Sequence, residues 1–219
     1  RDQETARRLV TTVQELVAHS GEFVYRDHNT PWGVVARNIT LTMEQRDGYH
    51  GVVTAHGGTL NIQDFEPMTT EMVTTYELEG GQVTLSDIAV AVDGFEAGVS
   101  GTVDLWNWPE QTYHILESDI DLRTMREIFF AGDPFTVNGD AHLTGTWHIY
   151  DGGRDLTGTL ESESWTLNDF QLPNMSASLV WTDDRFEVFD YRSGLYDGTL
   201  DLRYVMAPLG AEQPGLARL

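Results

Sequence analysis

Six times along this chain of 219 residues the pattern Gly-x-apolar-x-apolar recurs. It starts at Gly21, Gly58, Gly81, Gly101 (Thr102-Val103-Asp104-Leu105), Gly145 (Thr146-Trp147-His148-Ile149) and Gly198 (Thr199-Leu200-Asp201-Leu202). A period of two puts the apolar residues on one face of an extended strand, and the glycine lets the chain leave a tight turn. Four of the six have Thr in second place, and Asp27, Asp64, Asp87 and Asp151 each stand two places after a second apolar residue. The intervals are uneven, so this is an echo from strand to strand and not a solenoid of fixed period. The chain is therefore mainly β.

Further stretches of strand character lie between the echoes: Trp32 to Glu44, Val52 to Ala55, Met72 to Leu78, Tyr113 to Ile120, Leu156 to Leu160, Trp165 to Phe170, Met175 to Trp181, Phe186 to Tyr191 and Leu195 to Tyr204. Each is bounded by turn residues. Two segments change period. Thr5 to His19 carries Ala6, Leu9, Val10, Val13, Leu16 and Val17 on one helical face, with Gly21 placed for a left-handed cap. Leu122, Met125, Ile128 and Phe129 fit a short inserted helix before the turn at Gly132-Asp133-Pro134. The organisation expected is an amphipathic helix over 1–20, a repetitive sheet region over 21–206, and a loop or linker over 207–219 that leads to a continuation.

Hydrophobic residues make up 40% of the chain and come as alternating singles, which suits sheets wet on one face. The formal net charge is −22 and every basic residue is Arg. Such a surface repels phosphate backbones and anionic membrane surfaces, so a nucleic-acid partner is not expected. Cysteine is absent, which excludes disulfides, thiolate chemistry and Cys-ligated zinc. No stretch reaches the roughly 18 consecutive apolar residues of a membrane-spanning helix. Because the chain opens at Arg1, it reads as a piece of something longer, with any anchor outside these residues.

Glu117, Asp119 and Asp121 alternate on one face of a strand, which superficially resembles the acidic strand of some β-sandwich glycoside hydrolases. The place where that pattern wants a second Glu holds Leu122, so no catalytic residue is assigned. Of the histidines His19, His28, His50, His56, His114, His142 and His148, none has the i, i+4 spacing of a helical metal site. His142 and His148 come nearest to a strand-borne pair, and neither a metal nor a cofactor is expected. Asp151-Gly152-Gly153-Arg154-Asp155 contains half of a calcium nonapeptide, but it stands alone and reads as a hairpin turn. Trp106 and Trp108 flank Asn107 and could form a sugar-stacking edge.

Gly21-Glu22-Phe23-Val24-Tyr25-Arg26-Asp27, Trp32 to Leu41, Gly81 to Ile88, Ser118 to Leu122 and Val137 to Gly145 together resemble the repeat region of AsmA-like and TamB-like envelope proteins. The resemblance runs over most of Gly21 to Tyr204. It implies an elongated, twisted antiparallel sheet folded into an open, taco-like groove, with the N-terminal helix and the short inserted one. It also implies a periplasmic, inner-membrane-anchored Gram-negative protein. Its function would be non-enzymatic: lipid transport between membranes or outer-membrane biogenesis, with phospholipid or glycolipid acyl chains, or other envelope proteins, as partners. The acidic charge and the short length depart from that family. The wall residues expected are Leu60, Ile62, Val83, Leu85, Val103, Leu105, Trp147, Ile149, Leu200 and Leu202. The same alternation would equally fill a closed core. The alternative is a β-sandwich binding module for carbohydrate or an envelope partner, using Trp106 and Trp108.

Overall fold

A computed structural model describes residues 12–26, 32–209 and 216–218. Among the described residues thirteen strands form one antiparallel sheet in sequence order, each hydrogen-bonded only to its neighbours in the chain. They are β1 (Glu15–Arg26), β2 (Trp32–Gln45), β3 (Tyr49–Ile62), β4 (Met68–Glu79), β5 (Gln82–Val92), β6 (Phe95–Asp104) and β7 (Gln111–Asp121), then β8 (Val137–Tyr150), β9 (Gly153–Leu167), β10 (Phe170–Thr182), β11 (Phe186–Leu195), β12 (Gly198–Met206) and β13 (Leu216–Arg218). The helix α1 (Leu122–Phe129) joins β7 to β8. The sheet is an open meander and does not close into a barrel.

Register separates the two faces. Across one row, direct partners run Leu16, Met43, Gly51, Tyr76, Leu85, Gly101, Tyr113, Trp147, Leu156, Trp181, Phe186 and Met206, from β1 to β12 without a charged residue. The row beside it, on the other face, runs Glu15, Glu44, His50, Glu77, Thr84, Thr102, Thr112, His148, Asp155 and Thr182 without an apolar one. Partners in a ladder share a face, so alternation along each strand becomes one apolar inner face and one polar outer face.

A line of irregularities crosses the sheet near mid-strand. Register shifts occur where β1, β3, β5, β7, β9 and β11 carry an extra residue against a neighbour. Ser20, Asn38, Asp87, Asn174 and Asp190 adopt left-handed backbone there, with φ of 50–55°, and Gly57 has φ 71°. A bulge bends its strand and increases twist, so these residues crease the sheet.

The crease lets distant strands meet. Six strands apart, β2 and β8 would lie about 29 Å from each other in a flat sheet at roughly 4.8 Å per strand, yet the rings of Trp32 and Trp147 are 6.2 Å apart. Around this contact the Arg154 guanidinium sits 4.2 Å from the Trp32 ring, and Gln63 Nε2 donates to Asp183 O at 3.0 Å. Helix α1 lies against the same inner face. Leu122 and Met125 pack on the cluster of Ile120, Ala141, Leu143, Met175, Ala177, Leu179 and Tyr191, while Phe129 contacts both Phe65 and Trp181.

The short helix expected around Leu122–Phe129 is present; the N-terminal one is corrected where the residues are described. Glu15 to His19 is strand, part of β1, and residues 1–11 of the expected segment lie outside the described residues. Val13, Leu16 and Val17, expected on a buried helical face, are exposed. Pairing with β2 satisfies the backbone of Glu15 to Ala18 through a ladder, an option that helical spacing does not register. Ser20, not Gly21, holds the left-handed conformation. In the segment read as a linker over 207–219, Leu216–Arg218 pairs with β12 as β13. Stretches read as separate strands also fuse: Val52 to Ala55 with the Gly58 echo into β3, and Leu156 to Leu160 with the start of Trp165 to Phe170 into β9.

Candidate functional site

Nine of the ten residues expected to wall a groove fall within strands and on the inner face. Leu60 pairs with Val34 and Met68, and Ile62 with Trp32. Val83 pairs with Leu78 and Val103, and Leu85 with Tyr76 and Gly101. Trp147 pairs with Tyr113 and Leu156, Ile149 with Gln111 and Arg154, Leu200 with Ser193, and Leu202 with Tyr191. Leu105 lies just past the end of β6 and is 46% exposed.

These residues divide by what covers them. Leu200 and Leu202 pack on the cluster that α1 covers, and Trp147 meets Trp32. Towards the β1 end the face is less covered. Leu16 and Phe23 point inward from β1 yet are 42% and 50% exposed, and Leu41, Met43, Val53, Leu60, Val83 and Leu85 are only half-buried. The inner face is thus packed in the C-terminal half, while in the N-terminal half buried positions such as Ala55, Met68, Ile88, Ala97, Val99 and Val103 stand beside these half-buried ones and the face is most accessible along β1.

Glycines shape this surface. A Cβ at Gly51 would come within 1.8 Å of Thr42 O and 2.7 Å of the Tyr76 ring, and one at Gly101 within 2.5 Å of the Tyr113 ring. Each tyrosine therefore lies flat across its partner glycine. Burial pushes the Tyr113 phenol up to about 12. Burial, and then the nearby Asp133 carboxylate, does the same to Tyr204, also to about 12.

The polar candidates are dispersed. Asp119 faces His142, with Nδ1 to Oδ1 at 3.2 Å, while His148 meets Glu110 at 2.6 Å. Asp121 is drawn off the strand face to cap α1, accepting from Thr124 Oγ1 at 2.6 Å and Arg123 N at 3.0 Å. The Thr124 hydrogen bond is the main reason that its carboxyl titrates below the usual range. Among the described residues no group of three His, Asp or Glu could hold a metal ion, and no helix is long and apolar enough to cross a membrane. Asp151-Gly152 forms the β8–β9 hairpin turn, with Gly152 at φ 91°.

Trp106 and Trp108 are 79% and 54% exposed and are held by their loop. Asp104 Oδ1 accepts from Trp106 N and Asn107 N, and Trp106 Nε1 donates to Gly80 O at 2.6 Å. Two features were not reached from the sequence: the clasp around Trp32 and the crease. Mid-strand Asn38, Asp87, Asn174 and Asp190 carried the signal for the crease, since Asn and Asp tolerate left-handed backbone best.

No protein-family model, curated protein or solved structure matches the chain.

Proposed function

We propose that the inner face shelters hydrocarbon, and that the chain is a non-enzymatic section of a lipid-conducting or outer-membrane-assembly protein of AsmA-like or TamB-like kind, working in the periplasm. The observation that carries this reading is the unbroken uncharged row from Leu16 to Met206, exposed or half-covered from β1 to β5. An acyl chain laid along it would gain about 0.8 kcal/mol for each CH₂ withdrawn from water. Aspartate in the row removes that gain and brings a charge that must stay hydrated.

Native mass spectrometry with lipid extraction tests the reading. The parent protein is expected to carry phospholipid or glycolipid, and Leu85→Asp or Val83→Asp to lose it with the strand spectrum unchanged. A folded parent that takes up no lipid, or variants that retain it, would refute the proposal.

The exposure of Trp106 and Trp108, with Trp106 anchored on Gly80 O, favours a second reading, a carbohydrate-stacking edge. A glycan array would show binding lost in Trp106→Ala, whereas the lipid reading leaves that variant's cargo intact.

A further inference from the structure

The outer edge of β1 has no strand partner among the described residues. It is twelve residues long, without Lys or Pro, and a long edge with unpaired backbone groups is a template for another strand. Apolar side chains stand on both of its faces: Leu16 and Phe23 inward, Val17 and Val24 outward, all 42–50% exposed. The side chains of a strand added at this edge would cover part of all four. At the opposite end of the sheet β13 is three residues long and occupies the edge of β12 at Arg203 to Val205.

We propose that β1 pairs antiparallel with β1 of a second copy of this chain, about a two-fold axis perpendicular to the sheet between Ser20 and Gly21. Glu15 then stands opposite Arg26 of the second copy, Leu16 opposite Tyr25, Val17 opposite Val24, Ala18 opposite Phe23, and His19 opposite Glu22. The register is selected by face and by charge. In a regular strand each of these pairs would join an inner residue to an outer one. The extra residue at Ser20 changes that: Leu16, Ala18, Phe23 and Tyr25 are inner, and Glu15, Val17, Val24 and Arg26 outer, by their partners in β2. Every pair therefore joins like faces, and the apolar inner face continues from one copy into the next.

Charge points the same way. Within its own sheet Glu15 is paired with Glu44, another acid. Arg26 is paired with Gly33 and forms no ion pair among the described residues. The dimer supplies each with its opposite, twice by symmetry. The net charge of −22 opposes association of two copies, so the interface depends on these local pairs and on salt that screens the remainder.

Sedimentation equilibrium at roughly 0.15 M salt reads the result, with circular dichroism as the check on folding. The parent is expected to form dimers. Arg26→Glu and Glu15→Arg, each placing like charges in contact twice, should each weaken association on the order of tenfold. Combining them restores opposite charges at both contacts and should restore the parent's dimer. A parent that stays monomeric at about 1 mM, a dimer that neither reversal weakens, or a double variant no better than the singles would overturn the proposal. The dimer is independent of what the inner face holds, so a lipid-free dimer would refute only the hydrocarbon reading.

Discussion

Gly51 and Gly101 are where single atoms decide the most. Alanine at Gly51 would drive its methyl to within 1.8 Å of a backbone carbonyl in β2, and a ladder pinned on both sides cannot move away cheaply. Overpacking of this kind costs about 1–3 kcal/mol, so Gly51→Ala should lower the unfolding free energy by that much, read as a lower urea midpoint at unchanged slope. Gly80, with open space around it, is a control for volume, although its φ of 56° adds strain of its own. Tyr113, which lies over Gly101, and Tyr204 set an alkaline limit. With the phenols of Tyr113 and Tyr204 pushed up to about 12, the folded state holds protons that the unfolded chain releases near pH 10. Stability is full below pH 10 and falls as pH rises towards 12. Absorbance titration should show a late phenolate phase that Tyr113→Phe reduces. On the outer face Glu187 works in the opposite sense. The Arg185 hydrogen bond chiefly, with Arg203 assisting, holds its carboxyl below the ordinary range. Its stabilising contribution is present above that range and lost as pH falls through the lowered value, a loss that Glu187→Gln should remove from the acid limb of a stability profile.

Among the elements, α1 and the creased strands make the clearest predictions. Asp121 closes β7 and starts α1, so removing its side chain frays the helix that covers the C-terminal half of the inner face. Asp121→Ala should cost about 1 kcal/mol in denaturant unfolding. In the crease, Asp87 and Asn174 hold φ values of 52° and 54°, where a β-branched side chain is strained by roughly 1–2 kcal/mol. Asp87→Val should therefore destabilise by about that amount while Asp87→Gly does not, the reverse of ordinary strand preference. These elements also mark how far the sequence could be read. Alternation was legible because solvent on one face and apolar contact on the other act on every strand separately. For the same reason nine of the ten residues expected to wall a groove fall on one face. The helical reading of Thr5 to His19 failed over Glu15 to His19 because Leu16 and Val17 suit either period, and pairing with Met43 and Thr42 is a non-local fact. What covers the face was equally out of reach, since Trp32 meets Trp147 through the curvature of the whole sheet.

At the scale of the molecule, the clasp decides how far the sheet stays curled. Ladders hold each strand to its neighbours whatever the overall curvature, so strand content should survive the loss of any contact between the halves. Contacts across the trough among the described residues centre on Trp32 with Trp147 and Arg154, Gln63 with Asp183, and Phe129 between Phe65 and Trp181. Trp32 meets both Trp147 and Arg154 and packs against Tyr25 as well. Trp32→Ala should accordingly cost about 2–3 kcal/mol, below the figure for a fully buried tryptophan. Arg154→Leu keeps much of the bulk, loses the cation–π contact and the ion pair to Asp183, and should cost about 1 kcal/mol. Small-angle scattering separates a clasp from ordinary core packing. If these contacts hold the curl, Trp32→Ala enlarges the radius of gyration while circular dichroism stays that of the parent, and hydrogen exchange rises first at the β2 and β3 ends near Gly33 and Asn61. Unchanged dimensions with a uniform loss of protection would instead show that α1 and the creases maintain the curvature, with Trp32 merely adding to the core.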